Sequence, residues 1–307
     1  MPPPTLPPAT YVRRRYPLAQ LEGTLADRVA AGMQAVLAAK PLPPGATVGL
    51  CAGSRGIANL ARITRAAVDY GRFHPRILPA MGSHGGATPE GQTAMLADPA
   101  IGISEDSMGC PVDPRMETAQ LNDGTPFAIH WALSALECDA VILINRVKQH
   151  TEIFGQAPAG SIGIDLPEAI HSGLLKMLAV GLGKQRGAET YHRQIPTPLG
   201  LGGAVALGAR YLIESAASRK RGLPLGGLAI VENAHDETAL IEGIPFDPSN
   251  PQAAFEQELR LLAQSRKWLP RLPVENLDAL WIGHMGKRIS GTGMDTNVIG
   301  RLKIPRQ

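Results

Sequence analysis

The stretch AVILIN, residues 140–145, carries five apolar side chains in succession, three of them β-branched. β-Branched residues favour extended backbone, and such a run is typical of a strand buried on both faces. On its N-terminal side the chain alternates short apolar runs with longer helical patterns. Ala46–Ala52 and Arg76–Ala80 are predicted strands, and Leu25–Ala39 and Ile57–Tyr70 are predicted helices. This alternation indicates an α/β fold with a mostly parallel sheet.

Further elements are predicted along the rest of the chain. They are a helix at Pro89–Leu96 capped by Thr88, weak strands at Ile101–Gly109 and Thr125–Ile129, a short helix near Leu133, helices at Ser172–Leu182, Leu199–Ser218 and Pro251–Ser265, and strands at Leu228–Glu232 and Leu277–Gly283. The charged stretch Phe255–Lys267 is expected on the surface, as a connection between lobes.

The length of 307 residues exceeds the size at which a single hydrophobic core usually keeps growing. The length is therefore compatible with two lobes or with one large open-sheet domain and an appendage. We expect two lobes with mostly parallel sheets, and a ligand site at the strand carboxyl ends between the lobes. The predicted N-terminal α/β domain covers residues 1–265, of which 1–20 form an extended arm. Residues 266–307 are expected to begin a short or incomplete C-terminal α/β lobe.

Composition limits the classes of partner. The 30 basic and 27 acidic residues give a net charge of +3, which is too balanced to predict a nucleic-acid surface. Cys51, Cys110 and Cys138 form no C-x-x-C pair, so the sequence predicts neither a disulfide framework nor a thiolate zinc site, and a reducing compartment follows. Prolines near the N-terminus and the lack of a long apolar run lead us to expect a cytoplasmic protein without a membrane partner. The sequence is compatible with a homo-oligomer.

Three predicted strands each run into a loop that carries a cationic or titratable group. These loops are residues 53–56 (GSRG), 82–86 (GSHGG) and 146–150 (RVKQH). Because the carboxyl ends of parallel strands meet at one edge of a sheet, we expect these groups on the same face. Loop 53–56 is either an anion cradle, with backbone N–H groups and Arg55 facing a phosphate or carboxylate, or a tight turn that requires glycine.

Two of these loops contain a histidine. His84 is flanked by Gly82, Gly85 and Gly86, so little side-chain bulk shields it from a ligand. His150 follows AVILIN by five residues in a polar loop. Either imidazole can exchange protons near neutral pH or bind a metal, and the alternative for each is a solvated loop histidine.

Lys176 is predicted in the first turn of the helix that begins near Ser172. The positive end of the helix dipole disfavours a cation and therefore lowers the pKa of a lysine at this place. A lowered pKa favours a nucleophilic or covalently modified lysine, whereas the ordinary alternative is a solvated charge. His192 follows sixteen residues later, and His171 and His235 are reserve candidates. No compact metal motif is present, so a metal would take its ligands from separated loops.

Several segments together resemble the nickel-pincer-nucleotide-dependent lactate racemase superfamily. They span most of residues 46–300 and read VGLCAGSRGIANLARITRAAV, LPAMGSHGGATPEGQ, AVILINRVKQHT, SGLLKMLAVGLGKQRGAETYH and GHMGKRISGTGMDTNVIGR. The resemblance implies an isomerase, a racemase or epimerase of a small-molecule 2-hydroxy acid.

The resemblance also implies a cofactor bound by the N-terminal domain. In the family this is nickel pyridinium-3,5-bisthiocarboxylic acid mononucleotide, tethered to a lysine that matches Lys176. A downstream histidine that completes the nickel coordination matches His192. Ser54 and Gly173, in the matching segments, are expected to contact the cofactor.

The family's catalytic groups match three further positions. His84 and His150 match two histidines that alternate as general acid and base. Arg55 matches the family's arginine after the first strand, which would polarise the substrate oxygen or hold the anionic groups of the cofactor site. The chemistry implied is removal of hydride from C2, to give a planar keto acid, and its return to the opposite face.

The sequence departs from the family pattern in three places. Cys51 and Ala52 stand where an acidic residue is common. Residues 155–169 lengthen the segment between His150 and Lys176, which leaves open whether His150 or His171 is the second acid–base group. The chain continues only briefly after the last matching segment, where Lys287 is the best candidate for a substrate contact.

Two other functions remain open at this point. One is a different metal-assisted enzyme, such as a hydrolase that uses His84, His150 and His192 around one ion. The other is a noncatalytic module that binds an anion or a nucleotide.

Overall fold

The computed structural model describes residue 15 and residues 18–54, 56–71, 73–122, 126–149 and 171–268. The strands in chain order are β1 (Thr47–Ala52), β2 (His74–Pro79), β3 (Thr118–Gln120), β4 (His130–Ala132), β5 (Ala140–Arg146), β6 (Lys148–Gln149), β7 (His171–Ser172), β8 (Leu223–Glu232) and β9 (Thr238–Pro245). The helices are α1 (Leu25–Ala39), α2 (Leu60–Asp69), α3 (Pro89–Ala97), α4 (Glu105–Met108), α5 (Leu133–Leu136), α6 (Leu174–Lys176), α7 (Lys184–His192), α8 (Gly200–Glu214) and α9 (Pro251–Trp268), with a π-helical segment at Met177–Gly181 directly after α6.

A five-stranded sheet in the order β2-β1-β5-β8-β9 forms the centre of the described fold. β2, β1, β5 and β8 are parallel, and β9 runs antiparallel to β8. The predicted α/β class with a mostly parallel sheet is therefore confirmed.

Both faces of this sheet are buried, as the apolar run at residues 140–144 predicts. Val141 and Leu143 belong to a core cluster that contains side chains of α6, α8 and α9. Ile142 and Ile144 point to the other face, where they share a core with α1 and α2. The alternation follows from the two-residue period of a strand, and it explains why β5 can be apolar at successive positions.

The strand order contains a topological switch. From β1 the chain moves to β2 on one side, whereas β5 pairs with β1 on the other side. At such a point the loops after neighbouring strands diverge and leave a crevice at the strand carboxyl ends. In this fold the switch point lies between β1 and β5, beyond their carboxyl ends at Ala52 and Arg146.

Local capping signals operate as predicted in α3. The Thr88 hydroxyl accepts a hydrogen bond from the Gly91 N–H at 3.0 Å, and Pro89 occupies the first turn. Proline costs nothing there because its missing N–H would have had no partner within the helix.

Two predicted weak strands are wrong. Residues 101–109 contain α4 instead, because the Ser107 N–H donates to the Ser104 hydroxyl at 3.2 Å and the Ser104 N–H donates to the Ser107 hydroxyl at 2.9 Å. This reciprocal cap stabilises a helix start that outweighs the extended preference of the nearby isoleucines. Residues 126–129 lead into β4, which begins at His130.

The position of the helix near residue 260 also differs from the prediction. α9 does not lie on the surface as a connection, because Phe255, Glu258, Leu261 and Leu262 are buried and the three apolar ones join the core cluster of the sheet. β9 was not predicted. α9 continues to Trp268, three residues beyond the predicted domain boundary at 265, and the rest of the proposed second lobe lies outside the described residues.

The described residues also show the state of the cysteines and the character of the helices. Cys51, Cys110 and Cys138 are buried and form no disulfide. None of the described helices is both long and apolar enough to cross a lipid bilayer.

Candidate active site

The loop after β1 and the start of α6 meet beyond the carboxyl ends of β1 and β5. Asn145, near the end of β5, donates its amide N–H to the Gly173 carbonyl at 2.8 Å. A Cβ built on Gly53 would lie 2.8 Å from Asn145 Oδ1 and 3.2 Å from Met177 Cε. The close approach therefore requires glycine, and it brings the segment that carries Lys176 against the loop that carries Ser54.

A buried carboxylate anchors the start of α6. Glu258, from α9, is 1% exposed, and its Oε2 accepts the N–H groups of Leu174 at 2.6 Å and Leu175 at 3.2 Å. These N–H groups have no partner within the helix, and a carboxylate there also interacts favourably with the helix dipole. A Cβ on Gly173 would lie 2.3 Å from Glu258 Oε1, so Gly173 is required for this contact. Gly173 and Glu258 together fix the place of Lys176.

The Lys176 amine is poorly solvated. The residue is half-buried, and burial lowers the pKa of the amine to about 8. The lowered pKa agrees with the sequence prediction, but its cause is loss of hydration and not the helix dipole. At pH 7 a pKa of about 8 leaves roughly a tenth of the amine neutral, which is the nucleophilic form.

The loop that carries His84 lies against the π-helical segment. The Gly82 N–H donates to the Gly181 carbonyl at 3.1 Å, and a Cβ on Gly181 would lie 2.5 Å from the Ala80 carbonyl oxygen. Gly82 and Gly85 adopt φ values of +61° and +67°, which side chains disfavour. The exposed His84 side chain therefore stands on a loop packed onto the helical segment that begins with Lys176.

His192 ends α7, and its ring orientation is set by the helix. Nδ1 lies 2.6 Å from the Ala188 carbonyl oxygen. Because a carbonyl oxygen only accepts, Nδ1 carries the proton in this contact, and Nε2 of the neutral ring retains its lone pair. Such a backbone contact is the usual outer partner of a metal-binding histidine. α7 packs against the π-helical segment, since a Cβ on Gly187 would lie 3.3 Å from the Val180 carbonyl oxygen.

The predicted site residues thus fall into two groups. Ser54, Gly173 and Lys176 lie on segments that meet beyond β1 and β5, while the His84 loop and α7, which ends at His192, both pack against the π-helical segment that follows Lys176. The predicted Arg55, His150 and Lys287, and the side chain of the reserve candidate His171, lie outside the described residues. Among the side chains that the structure does describe, no group of three or more His, Cys, Asp or Glu is placed to hold a metal ion.

The sequence did not predict a buried ion pair at the carboxyl ends of β5 and β8. Arg146, at the end of β5, donates to Glu232 Oε2 at the end of β8, and Glu232 Oε1 accepts the Ala58 N–H at 2.6 Å. Both side chains are almost inaccessible to water. A Cβ on Gly56 would lie 3.8 Å from the Arg146 guanidinium, so the pair supports the loop after β1. The available signal was a charged residue at the end of a predicted strand, Arg146 in AVILINR and Glu232 in LAIVE.

The fold and this arrangement define the chain by class, as an α/β protein with a candidate site at the topological switch of its sheet. No protein-family model matches the sequence, and no curated protein is significantly similar to it.

Proposed function

We propose that the protein is a racemase or epimerase of a 2-hydroxy acid that uses a nickel-pincer nucleotide tethered to Lys176. One observation carries the proposal: a half-buried amine with a pKa of about 8 is anchored at the switch point of a parallel sheet. An amine of lowered pKa is suited to covalent attachment of a carbonyl-bearing group. The switch point is the place where open α/β sheets bind nucleotides.

The described residues fit such a group. Lys176 would provide the tether, and Nε2 of His192 would face the metal. Loop 53–56, with Ser54, would lie against the anionic part, because glycine-rich turns at strand carboxyl ends present N–H groups to anions. Glu258 accepts the N–H groups of Leu174 and Leu175, and this contact would hold the segment that carries the tether in place. When bound, the nickel-pincer nucleotide supplies a centre that takes up and returns hydride.

Side chains of the protein would remove and return the hydroxyl proton of the substrate. Inversion at C2 requires the hydroxyl proton to leave on one flank of the substrate and to return on the other. This needs two groups that titrate near neutral pH, one on each flank. His84 is one of them in this proposal, and His150 or His171 is the other. Arg55, directly after Ser54, would stabilise the substrate oxygen as its charge changes.

The test is the mass of the Lys176 peptide from protein produced together with the enzymes that build the cofactor. We expect a nucleotide-sized adduct on Lys176, nickel in the purified protein, and inversion at C2 of at least one of a panel of 2-hydroxy acids, with a C2 deuterium label retained in the product. Lys176→Arg should fold and carry no adduct. Lys220→Met, which removes an exposed lysine, should keep both the adduct on Lys176 and the inversion at C2.

Two results would contradict the proposal. Folded protein with an unmodified Lys176, despite an active cofactor pathway, would remove its basis. Zinc without an adduct would support the metal-assisted hydrolase instead.

A further inference from the structure

Lys184 is a buried cation in an unfavourable backbone conformation. It is fully inaccessible to water, and its φ of +53° lies in the left-handed region that long side chains rarely adopt. Burial also lowers the pKa of its amine to about 8. A residue that is costly in both backbone and hydration persists where its side chain makes contacts that other residues cannot replace.

The contacts of Lys184 lead to the loop that carries His84. The Lys184 amine donates to the Pro79 carbonyl, the last of β2, at 2.7 Å and to Gln92 Oε1 at 3.2 Å. Gln92 is itself fully buried in α3, and its amide N–H₂ donates to the carbonyls of Gly82 at 2.8 Å and His84 at 3.3 Å. Two hydrogen-bonded steps therefore join the amine to the backbone of His84.

The direction of the Gln92 amide depends on the lysine. An ammonium group only donates, so it requires the amide oxygen on its side. The amide nitrogen is then left facing two carbonyl oxygens, which only accept. With a neutral apolar side chain in place of Lys184, nothing at that position would require the oxygen, and the amide could turn away from the loop.

Lys184 is also the first residue of α7, the helix that ends at His192. A Cβ on Gly82 would lie 3.8 Å from the Ala188 side chain of the same helix. We propose that Lys184 is a positioning residue, which acts through Gln92 to fix the His84 loop relative to the helix that carries His192. This inference rests on the proposed function, because that function assigns both histidines to one reaction.

The test uses unloaded, uniformly ¹⁵N-labelled protein, in which His84→Gln identifies the His84 imidazole signals. We expect Lys184→Met to shift these signals. It should also speed hydrogen exchange about tenfold at the His84 and Ala87 amides, the effect of losing roughly one buried hydrogen bond. These amides donate to the carbonyls of Met81 at 3.2 Å and His84 at 3.3 Å. The exposed His235 should be unaffected.

A double-mutant cycle tests the path through Gln92. Gln92→Leu alone should reproduce the effects of Lys184→Met, and the double variant should show no larger effect than Gln92→Leu. Gln185→Leu, an exposed substitution of the same type beside Lys184, should leave the loop unchanged. Gln92→Glu keeps an oxygen for Lys184 but presents no N–H to the loop. It should still speed the exchange, and it provides the test if Lys184→Met does not fold.

Unchanged His84 signals and exchange in folded Lys184→Met would overturn the inference, as would effects that add in the double variant. In cofactor-loaded protein, Lys184→Met should lower kcat with little change in KM and should alter the pH profile of kcat, because a displaced base affects proton transfer more than binding. An inactive loaded wild-type protein would refute the proposed function alone, since the measurements on His84 do not depend on the cofactor.

Discussion

Removing the Lys176 amine should stabilise the fold. Burial lowers the pKa of the amine from 10.5 to about 8, so the folded state binds its proton less well than the unfolded state. The amine has no ion-pair partner within the part of the chain that the structure describes. Lys176→Met keeps a flexible apolar stem of similar length and removes the group that burial disfavours.

The expected gain in free energy of unfolding follows from the change in the pKa of Lys176. A change of 1 in pKa corresponds to about 1.4 kcal/mol, so the protonated amine costs the folded state up to about 3 kcal/mol at pH 7. Below pH 8 both states hold the proton and the cost is complete, whereas above pH 10.5 neither state does and the cost disappears. The wild-type protein should therefore gain stability between these pH values, and Lys176→Met should lack this gain.

The assay is urea unfolding of both proteins at pH 7 and pH 10. We expect Lys176→Met to be more stable than wild type by up to about 3 kcal/mol at pH 7 and by only about 1 kcal/mol at pH 10. Lys220→Met, at an exposed position, should change stability by less than about 0.5 kcal/mol at either pH. A destabilised Lys176→Met, or a gain that is the same at both pH values, would refute the reasoning.

Two further substitutions test the supports of the site by urea unfolding. Gly173→Ala should destabilise the fold by about 1–3 kcal/mol, because its Cβ would lie 2.3 Å from Glu258 Oε1, and unchanged stability would mean that the carboxylate can move aside. Arg146→Met should cost about 3–5 kcal/mol, because it leaves the Glu232 carboxylate buried without its cation. Adding Glu232→Gln to Arg146→Met should recover part of the lost stability. If the two substitutions destabilise the fold additively, the pairing of Arg146 with Glu232 is contradicted.

Much of the fold could be predicted because its signals are local. α1 has its predicted bounds, Leu25–Ala39, since helical periodicity and a capping threonine lie within one short segment. The strand at AVILIN extends only one residue further than predicted, to Arg146. The failures occurred where local signals compete, as at residues 101–109, where a serine cap outweighed two isoleucines.

The candidate site was only partly predictable. Loops that follow parallel strands can be placed at one edge of a sheet from the order of elements alone, which is why the sequence predicted Ser54 and His84 at this edge. The residues that hold the candidate site in place could not be predicted in this way. Glu258 contacts a backbone N–H 84 residues away, and Lys184 bonds to a side chain 92 residues away. No periodicity or spacing relates such pairs.

The sequence by itself determined the α/β class, the succession of strands and helices, and the residue types at the strand ends, because these depend on apolar runs, periodicity and capping within a few residues. Only the tertiary structure decided the strand order with β9 at its edge, the buried face of α9, the desolvation of Lys176 and the path from Lys184 to His84. Each of these depends on which surfaces pack together, and packing joins groups that are close in space but far apart along the chain.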